Sequence, residues 1–426
     1  MALLLLGHRP VRDVGLSRNL RLLAAAQFVS LLGDGLYLAV IVNYALRISG
    51  ESSFSAGMCA VAEYLPYLLL GIWAGALVDR SDCRKVMMGA DLLRAGVLLG
   101  LYAMDHAGWL LPYRPAAAVP VGIAAALLTS GAVFFNPARD AYILDLAEGK
   151  DLLKANSLVA SSQYAATLLG PLTAALLLAA RPLAEAFAWD ALSFVGSFAC
   201  LAMIRASVPA RPAGAGGIRL LDGVRYVRAR PELAGLILLT ALNNLFLMGP
   251  AMVGSAFLVN DMAKRGGLWM GLKPEAMYAV YLSVFASGLI AGVWALNRFF
   301  GKLPRWKVLA WAVLLDGVTF LPFEPIARAA SFPLLLAALF VHALVVPGIV
   351  VVRPALIQAH VPRERLGQVF ALVNLTVFGC TALSAALTGV LCGWGLAPSW
   401  LFVLAGAGGT LCGLTALGMR SLRTLV

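Results

Sequence analysis

The sequence predicts an all-α polytopic membrane protein with twelve transmembrane helices in two pseudo-symmetric six-helix bundles. Three observations predict this fold: the composition, the number of long apolar runs and an internal repeat. Of the 426 residues, 61% are hydrophobic and only 13% are charged, whereas soluble domains are roughly 45–50% apolar and about 25% charged. The mean hydropathy is +0.87. A soluble fold of this length could not bury so many apolar side chains in its core.

Twelve apolar runs are long enough to cross about 30 Å of hydrocarbon, which takes roughly 20 helical residues. Pro322 and Pro325 are expected to end the ninth run early. Residues 1–7 are too short, and lack the leading cations, for a cleavable signal, so the first span itself should drive insertion. The predicted spans are 20–46, 55–79, 86–111, 116–138, 155–180, 184–204, 233–259, 276–297, 308–322, 332–352, 367–392 and 397–419.

The cations are divided unequally between the two sides of the predicted membrane. Of the 33 Lys and Arg residues, 24 fall on the side of the N-terminus and seven on the opposite side, when alternate loops are counted. Cytoplasmic loops carry the excess of Lys and Arg. Both termini and the central loop are therefore predicted to be cytoplasmic, with the chain in a bacterial inner membrane.

A polar stretch divides the spans six and six. It separates a first bundle, residues 1–206, from a second bundle, residues 233–426, and forms a cytoplasmic linker over residues 207–232. The first part of this linker is rich in Pro and Gly and flexible by composition. From Ile218 to Arg230, apolar and basic residues alternate at helical spacing, which predicts a helix along the inner leaflet.

The two halves contain matching landmarks. Residues 79–80 (Asp-Arg) match residues 297–298 (Asn-Arg), and residues 136–138 (Asn-Pro-Ala) match residues 353–355 (Arg-Pro-Ala). Two landmarks at almost the same offset indicate a repeat. Six-helix repeats are typical of secondary transporters, whose substrate site lies between the halves.

Several function classes are excluded by the motifs that the sequence lacks. The net charge of +12 comes from short loops between apolar runs, which set topology and touch anionic lipid, so no nucleic-acid partner is expected. The six cysteines form no CxxC pair and predict neither disulfides nor a metal site. No phosphate-binding loop, metal spacing or nucleophile elbow is present. We therefore expect no enzyme activity and no cofactor.

A charged hairpin joins the second and third spans. Gly71 and Gly75 share one helix face, which a neighbouring helix could approach closely. The pattern Gly-x-x-x-Asp-Arg-x-x-x-Arg-Lys over residues 75–85 resembles the best-known signature of the major facilitator superfamily. That resemblance implies a cytoplasmic charge network that acts as a conformational latch. Its predicted members are Asp79, Arg80, Arg84, Asp91, Arg94 and Arg139.

Further segments resemble one branch of this superfamily, the proton-driven efflux pumps that include macrolide, enterobactin and lysophospholipid exporters. The Gly170-Pro171 pair in the fifth span is similar to a pair often found in antiporters, although Thr173 stands where the fuller pattern has more glycines. The other similar segments are residues 32–34 (Leu-Gly-Asp), 65–66 (Leu-Pro), 136–139 (Asn-Pro-Ala-Arg), 155–157 (Ala-Asn-Ser), 193–194 (Ser-Phe) and 358–370.

Ionisable groups inside a membrane cost about 2.5–3.5 kcal/mol on insertion scales and call for an explanation. Asp34 and Glu63 lie in the antiparallel first and second spans at similar depth. Because burial favours the protonated carboxyl, both are proton-coupling candidates; alternatively, each bonds a neighbouring helix or lines a wet cavity. Asp316 and His342 are a second pair predicted at similar depth. A structural hydrogen bond is the alternative for that pair.

Aromatic and amide side chains in the central spans are candidates for the substrate cavity, because they suit an amphipathic ligand. Each has helix packing as its alternative role. The candidates are Tyr37, Tyr67, Gln163, Tyr164, Asn243, Asn244, Phe246 and Asn374.

Together these features predict a secondary active transporter that exports an amphipathic small molecule by proton antiport and alternating access. Its expected partners are that substrate, protons and membrane lipids, and the resemblance implies a monomer. A lysophospholipid transporter or flippase is the alternative. A receptor or scaffold without transport is a third possibility, which the hairpin argues against.

Overall fold

The computed structural model describes residues 18–78, 81–110, 114–146, 152–205 and 220–425. Within these ranges the side chains of residues 72, 75, 76, 115, 144, 152–157, 160, 220, 363 and 364 are left undescribed. Two members of the predicted latch, Asp79 and Arg80, lie outside the described residues, as does the first half of the predicted linker, residues 207–219.

Within the described ranges, twelve helices are long and apolar enough to span a membrane, which confirms the predicted all-α polytopic fold. We number them α1 to α12. The first bundle contains α1 (Arg18–Ile48), α2 (Ser53–Val78), α3 (Cys83–His106), α4 (Ala118–Leu146), α5 (Leu152–Ala180) and α6 (Glu185–Ala202). The second contains α7 (Pro231–Gly266), α8 (Pro274–Phe300), α9 (Arg305–Arg328), α10 (Phe332–His360), α11 (Arg363–Gly393) and α12 (Pro398–Gly418).

The ninth span continues beyond residue 322, where its prolines were expected to end it. Helical turns run from Arg305 to Val318, the backbone loosens before Pro322, and a second segment extends to Arg328. Proline lacks an N–H and disturbs the preceding turn, but it fits the first turn of a new helix. The two prolines therefore divide α9 into two pieces without ending it.

The two bundles are built on one packing pattern. In the first, α1 packs on α5 and α6, α2 on α4, and α3 on α6; in the second, α7 packs on α11 and α12, α8 on α10, and α9 on α12. Adding six to each helix number converts the first set into the second, as an internal repeat requires. The bundles meet where α2 packs on α11 and α5 packs on α8.

A short linker helix, Leu220–Arg228, precedes α7. It falls within the helix predicted from Ile218 to Arg230. The helix lies against α11, because a side chain at Gly223 would begin 3.0 Å from the Gln368 carbonyl oxygen.

The bundles touch at one end of the molecule, which we call the closed end. It carries the α1–α2 turn and the connection from α7 to α8. There the Asn260 amide donates to Asn43 Oδ1 at 2.7 Å, and Lys264 pairs with Glu51. One turn deeper, Gly57 and Gly389 bring the backbones of α2 and α11 into contact.

At the opposite end, which we call the open end, the same two helices separate. Tyr67 of α2 still stacks on Phe378 of α11, with ring centroids 4.0 Å apart. One turn further along α2, a side chain at Gly71 would meet no atom within 4 Å. The expectation of close helix packing at Gly71 is therefore wrong, because this face of α2 meets open space. The surroundings of Gly75 are not described.

Candidate functional site

A cavity of about 370 Å³ lies inside the first bundle and reaches α11 of the second. Three acids and two arginines line it together with aromatic and polar side chains, an unusual concentration of charge for a membrane interior. The charged and polar lining consists of Gln27, Ser30, Asp34, Glu63, Arg94, Thr129, Asn136, Arg139, Gln163 and Asp190. The aromatic lining consists of Tyr37, Tyr64, Tyr67, Phe135, Phe194 and Phe378.

Asp34 lines the cavity from α1, and at the next residue α1 and α5 cross with almost no space between them. A side chain at Gly35 would begin 2.6 Å from the Cα of Gly170, so the two backbones are in direct contact. Pro171 follows Gly170 without ending α5. The pair singled out for its likeness to antiporters thus forms the contact beside Asp34.

Glu63 joins the cavity from α2, so the two predicted carboxyls line one space. Their charges lie close enough to interact electrostatically. This agrees with the similar depth predicted for them in antiparallel helices.

Asp190 of α6 is a third carboxyl in this cluster, and the sequence prediction did not include it. It is buried, with 1% of its surface exposed, and it lies against the backbone of Gly33, next to Asp34. Its charge interacts with those of Asp34 and Arg94. The sequence alone could have identified Asp190, because it is an acid inside the predicted sixth span, just as Asp34 is an acid inside the first.

Arg94 crosses the bundle from α3 and is buried. Its stem passes over Gly131 of α4, where any side chain would clash with it. Its guanidinium lies 4.1 Å from the ring centroid of Phe194 and 4.8 Å from that of Phe135. Nη2 contacts Asp91 Oδ1 at 2.5 Å. Cation–π contacts and a carboxylate together stabilise a cation away from water.

The described members of the predicted latch do not form one network. Arg84 donates to the carbonyls of Leu201 and Ala202 at the end of α6, at 2.8 and 2.6 Å. Arg139 pairs with its neighbour Asp140 at 2.8 Å. The Asp91–Arg94 pair lies in the core of the bundle. The Asp91–Arg94 pair is therefore separate from the contacts of Arg84 and Arg139, and α3 carries Arg94 into the cavity.

Buried polar atoms without a hydrogen-bond partner among the described residues cluster at this cavity. They include Gln27 Oε1, the Tyr37 hydroxyl, Arg94 Nε and Asp190 Oδ2, and all four residues line it. Buried polar groups are almost always satisfied by protein, water or a ligand. This cavity therefore suits water, protons or the polar groups of a ligand.

Of the other predicted cavity residues, some reach a cavity and some do not. Tyr37, Tyr67 and Gln163 line the central one. Tyr164 is 54% exposed and lines none of the cavities described here. Phe246 is turned away from the site and packs on Gly408 of α12. Asn374 is exposed one turn from Phe378, on the side of α11 that faces the open end.

A second, smaller cavity of about 210 Å³ lies inside the second bundle. It is lined by Asn243 and Asn244, and by the predicted pair Asp316 and His342. His342 Nε2 lies 3.7 Å from Asp316 Oδ1, Asn243 donates to Asp316 Oδ2 at 3.4 Å, and Thr319 contacts His342 Nδ1 at 2.9 Å. Asp316 and His342 thus lie at the similar depth that was predicted for them, and their side chains also face each other.

Comparison with known proteins identifies the family. The sequence profile described as Major Facilitator Superfamily matches residues 23–315. The chain belongs to the major facilitator superfamily. Macrolide efflux protein A of Streptococcus pyogenes is 26% identical over 360 residues, which cover 82% of this chain and 83% of that protein.

Two further comparisons concern this member of the superfamily. The lysophospholipid transporter LplT of Photorhabdus laumondii is 28% identical over 155 residues, covering 36% of this chain and 35% of that protein. Among solved structures, a bacterial homologue of the iron transporter ferroportin in an inward-facing state superposes with a TM-score of 0.75 at 17% identity. That match covers 95% of this chain and 99% of the other, and it shows the shared fold.

The chemistry available to this superfamily member lies in its two polar cavities. In the described part of the chain, no group of three or more His, Cys, Asp or Glu side chains is arranged to hold a metal ion. The central cavity contains three carboxyl groups, the buried cation of Arg94 and aromatic surface. Carboxyl groups can bind and release protons.

Proposed function

We propose that this protein is a proton-coupled exporter of an amphipathic small molecule, such as a drug, natural product or siderophore, and works by alternating access. The observation that carries the proposal is the meeting of Asp34, Glu63, Asp190 and Arg94 in one cavity beside aromatic side chains. Charge at this depth is retained where a transported ion or substrate needs it.

Asp34 and Glu63 are the proposed proton carriers. Both line the cavity and interact with each other, so the proton occupancy of one affects the other. Arg94 offers the carboxylates a counter-charge when they are ionised. A substrate that competes for these carboxylates would be linked to proton release, which is the requirement for antiport.

The aromatic wall provides for the apolar part of the substrate. Tyr67 and Phe378 stack across the boundary between the bundles and line the cavity from both sides. A substrate that contacts both rings senses the relative position of the bundles. This would link binding to the rocking motion of the fold.

The proposed orientation places the open end in the cytoplasm, because the excess of Lys and Arg marks that side. The described structure then corresponds to the state that takes up substrate from inside the cell. The hairpin with Asp79 and Arg80 is proposed to latch this end when it closes. Asp79→Asn is expected to impair transport while leaving membrane insertion intact.

The test is transport in reconstituted liposomes with an imposed proton gradient. A fluorescent amphipathic drug should move against its concentration gradient, and collapse of the proton gradient should stop it. Asp34→Asn should lower this movement by roughly tenfold or more, which corresponds to about 1.4 kcal/mol. Glu185→Gln is the matched control, since it removes a surface carboxylate that pairs with Arg181 at 3.8 Å. Equal rates for the two variants would refute the proposal.

Lysophospholipid transport is the second candidate, favoured by the similarity to LplT. The same liposomes with a labelled lysophospholipid distinguish the two. Movement of the lipid that ignores both the gradient and Asp34→Asn would support the second candidate and exclude the first.

A further inference from the structure

A deep groove opens on the surface of the second bundle, away from the central cavity. Its volume is about 550 Å³, and it lies between α8, α9 and α10 next to the connection from α8 to α9 at the open end. Leu296 and Phe300 form one wall, Trp311 is on the other, and Leu344 is at the base. Lys307 is the charged side chain of an otherwise apolar lining.

Small residues create this groove. A side chain at Gly292 of α8 would begin 2.5 Å from the Leu344 carbonyl oxygen, and one at Gly348 of α10 would begin 2.5 Å from Ala312 of α9. Both α8 and α9 therefore pack closely on α10, and a space remains between α8 and α9. The last turn of α8, Leu296–Phe300, is a wide π-helical turn, which changes the direction of the wall at the mouth of the groove.

The mouth of the groove is strongly basic. Residues 298–307 contain four cations and no acid, and Arg423 approaches Trp306 from the chain end. Within the described ranges none of these cations takes part in an ion pair. Trp294, Phe299 and Trp311 are more than half exposed nearby. Exposed aromatics beside cations are typical of the membrane–water interface.

We propose that this groove binds one acyl chain of an anionic phospholipid, with Lys307 at the lipid phosphate. An apolar groove that ends at a cation, at interface depth, is complementary to an acyl chain that ends in an anionic headgroup. The lipid is taken from the membrane leaflet at the open end. The site is separate from the central cavity and does not depend on the transport proposal.

The experiment measures lipid retained by the purified full-length protein. The protein in detergent is mixed with phosphatidylglycerol or with phosphatidylcholine of identical acyl chains, and bound lipid is counted by native mass spectrometry. Phosphatidylglycerol should be retained in preference. Lys307→Gln should weaken its binding about fivefold, since one cation near an anionic lipid contributes about 1 kcal/mol. Ala295→Trp, which fills the groove, should weaken it at least as much.

Two matched variants control for charge and for surface bulk. Lys302→Gln removes an equal charge from the same connection but lies outside the groove lining, and Val341→Trp adds the same bulk at an exposed position of α10. Both should retain phosphatidylglycerol as the wild type does, with unchanged thermal midpoints throughout. Equal retention of the two lipids, or an equal loss with Lys302→Gln, would overturn the proposal.

Discussion

Asp190 adds a third carboxyl to the central cavity. Its carboxyl is buried against Gly33, and one of its oxygens has no partner within the described part of the chain. A buried carboxyl in this position adds a charge to the cluster of Asp34, Glu63 and Arg94. We therefore extend the proposed proton coupling from Asp34 and Glu63 to the whole cluster.

Asp190→Asn tests this inference. The substitution keeps the shape of the side chain and removes its ability to ionise, so the fold should survive while proton-driven transport falls by roughly tenfold. The measurement is uptake into proteoliposomes, with the thermal midpoint of the detergent-solubilised variant as the check on folding. Wild-type transport by Asp190→Asn would limit the coupling role to Asp34 and Glu63.

The pair in the second bundle has a different character. Asp316 and His342 contact Asn243, Thr319 and the ring of Phe320, all within one bundle. This geometry favours the structural alternative for the pair. We expect Asp316→Asn to retain most transport, because the amide can still accept from Asn243.

Asp316→Leu should instead lower the free energy of unfolding by about 1–3 kcal/mol, because it leaves the Asn243 amide buried and unsatisfied. Thermal unfolding in detergent measures this difference between the two variants. If Asp316→Asn lost transport at unchanged stability, Asp316 and His342 would instead have a role in proton coupling.

At the residue scale, sequence reasoning found ionisable residues that line the two cavities, but it could not tell in which direction a side chain points. Asp34, Glu63, Asp316 and His342 stood out because ionisable groups are scarce in apolar runs. Arg94 was assigned to a cytoplasmic latch because the resemblance to the superfamily implied one. Its actual neighbours, Phe135 and Phe194, come from α4 and α6. Only tertiary packing decides which face of α3 meets them.

At the scale of helices, glycine contacts determine how closely the spans approach. The crossing of α1 and α5 at Gly35 and Gly170 leaves no space for a methyl group on Gly35. Small residues at a helix crossing allow such contact in membranes, where association depends on close packing. The twelve helices themselves were predictable because length and hydropathy dictate them, whereas the continuation of α9 beyond Pro322 depends on its packing against α12.

Gly35→Ala should therefore lower the free energy of unfolding by about 1–3 kcal/mol, the usual cost of overpacking. Gly71→Ala is the matched control, because a methyl group there meets no atom within 4 Å. The measurement is the thermal midpoint of each variant in the same detergent. A stable Gly35→Ala variant would mean that α1 and α5 can separate without cost.

At the scale of the whole molecule, the repeat determines where the bundles touch. Asn43 and Asn260 are 217 residues apart, the same offset as between the Pro137 and Pro354 landmarks. Equivalent positions of α1 and α7 thus meet each other at the closed end, as expected near a two-fold pseudo-symmetry axis. The pairs α2–α11 and α5–α8 are related in the same way.

Alternating access predicts opposite behaviour at the two ends. In a variant whose six cysteines are replaced, Asn43→Cys with Asn260→Cys should be cross-linked readily by a short bifunctional thiol reagent, because their side chains touch at rest. Gly71→Cys with Asn374→Cys should resist the same reagent, since α2 and α11 have separated at that level. The register of the Tyr67–Phe378 stack places these two positions opposite each other.

During turnover the reactivities should change in opposite directions, because closing one end opens the other. Substrate with a proton gradient should increase cross-linking of the Gly71→Cys/Asn374→Cys pair and decrease that of the Asn43→Cys/Asn260→Cys pair. Linking the latter pair with a reagent that forms a disulfide to each cysteine should abolish transport, and reducing those disulfides should restore it. Continued transport by the linked protein would exclude rocking about the central cavity as the mechanism.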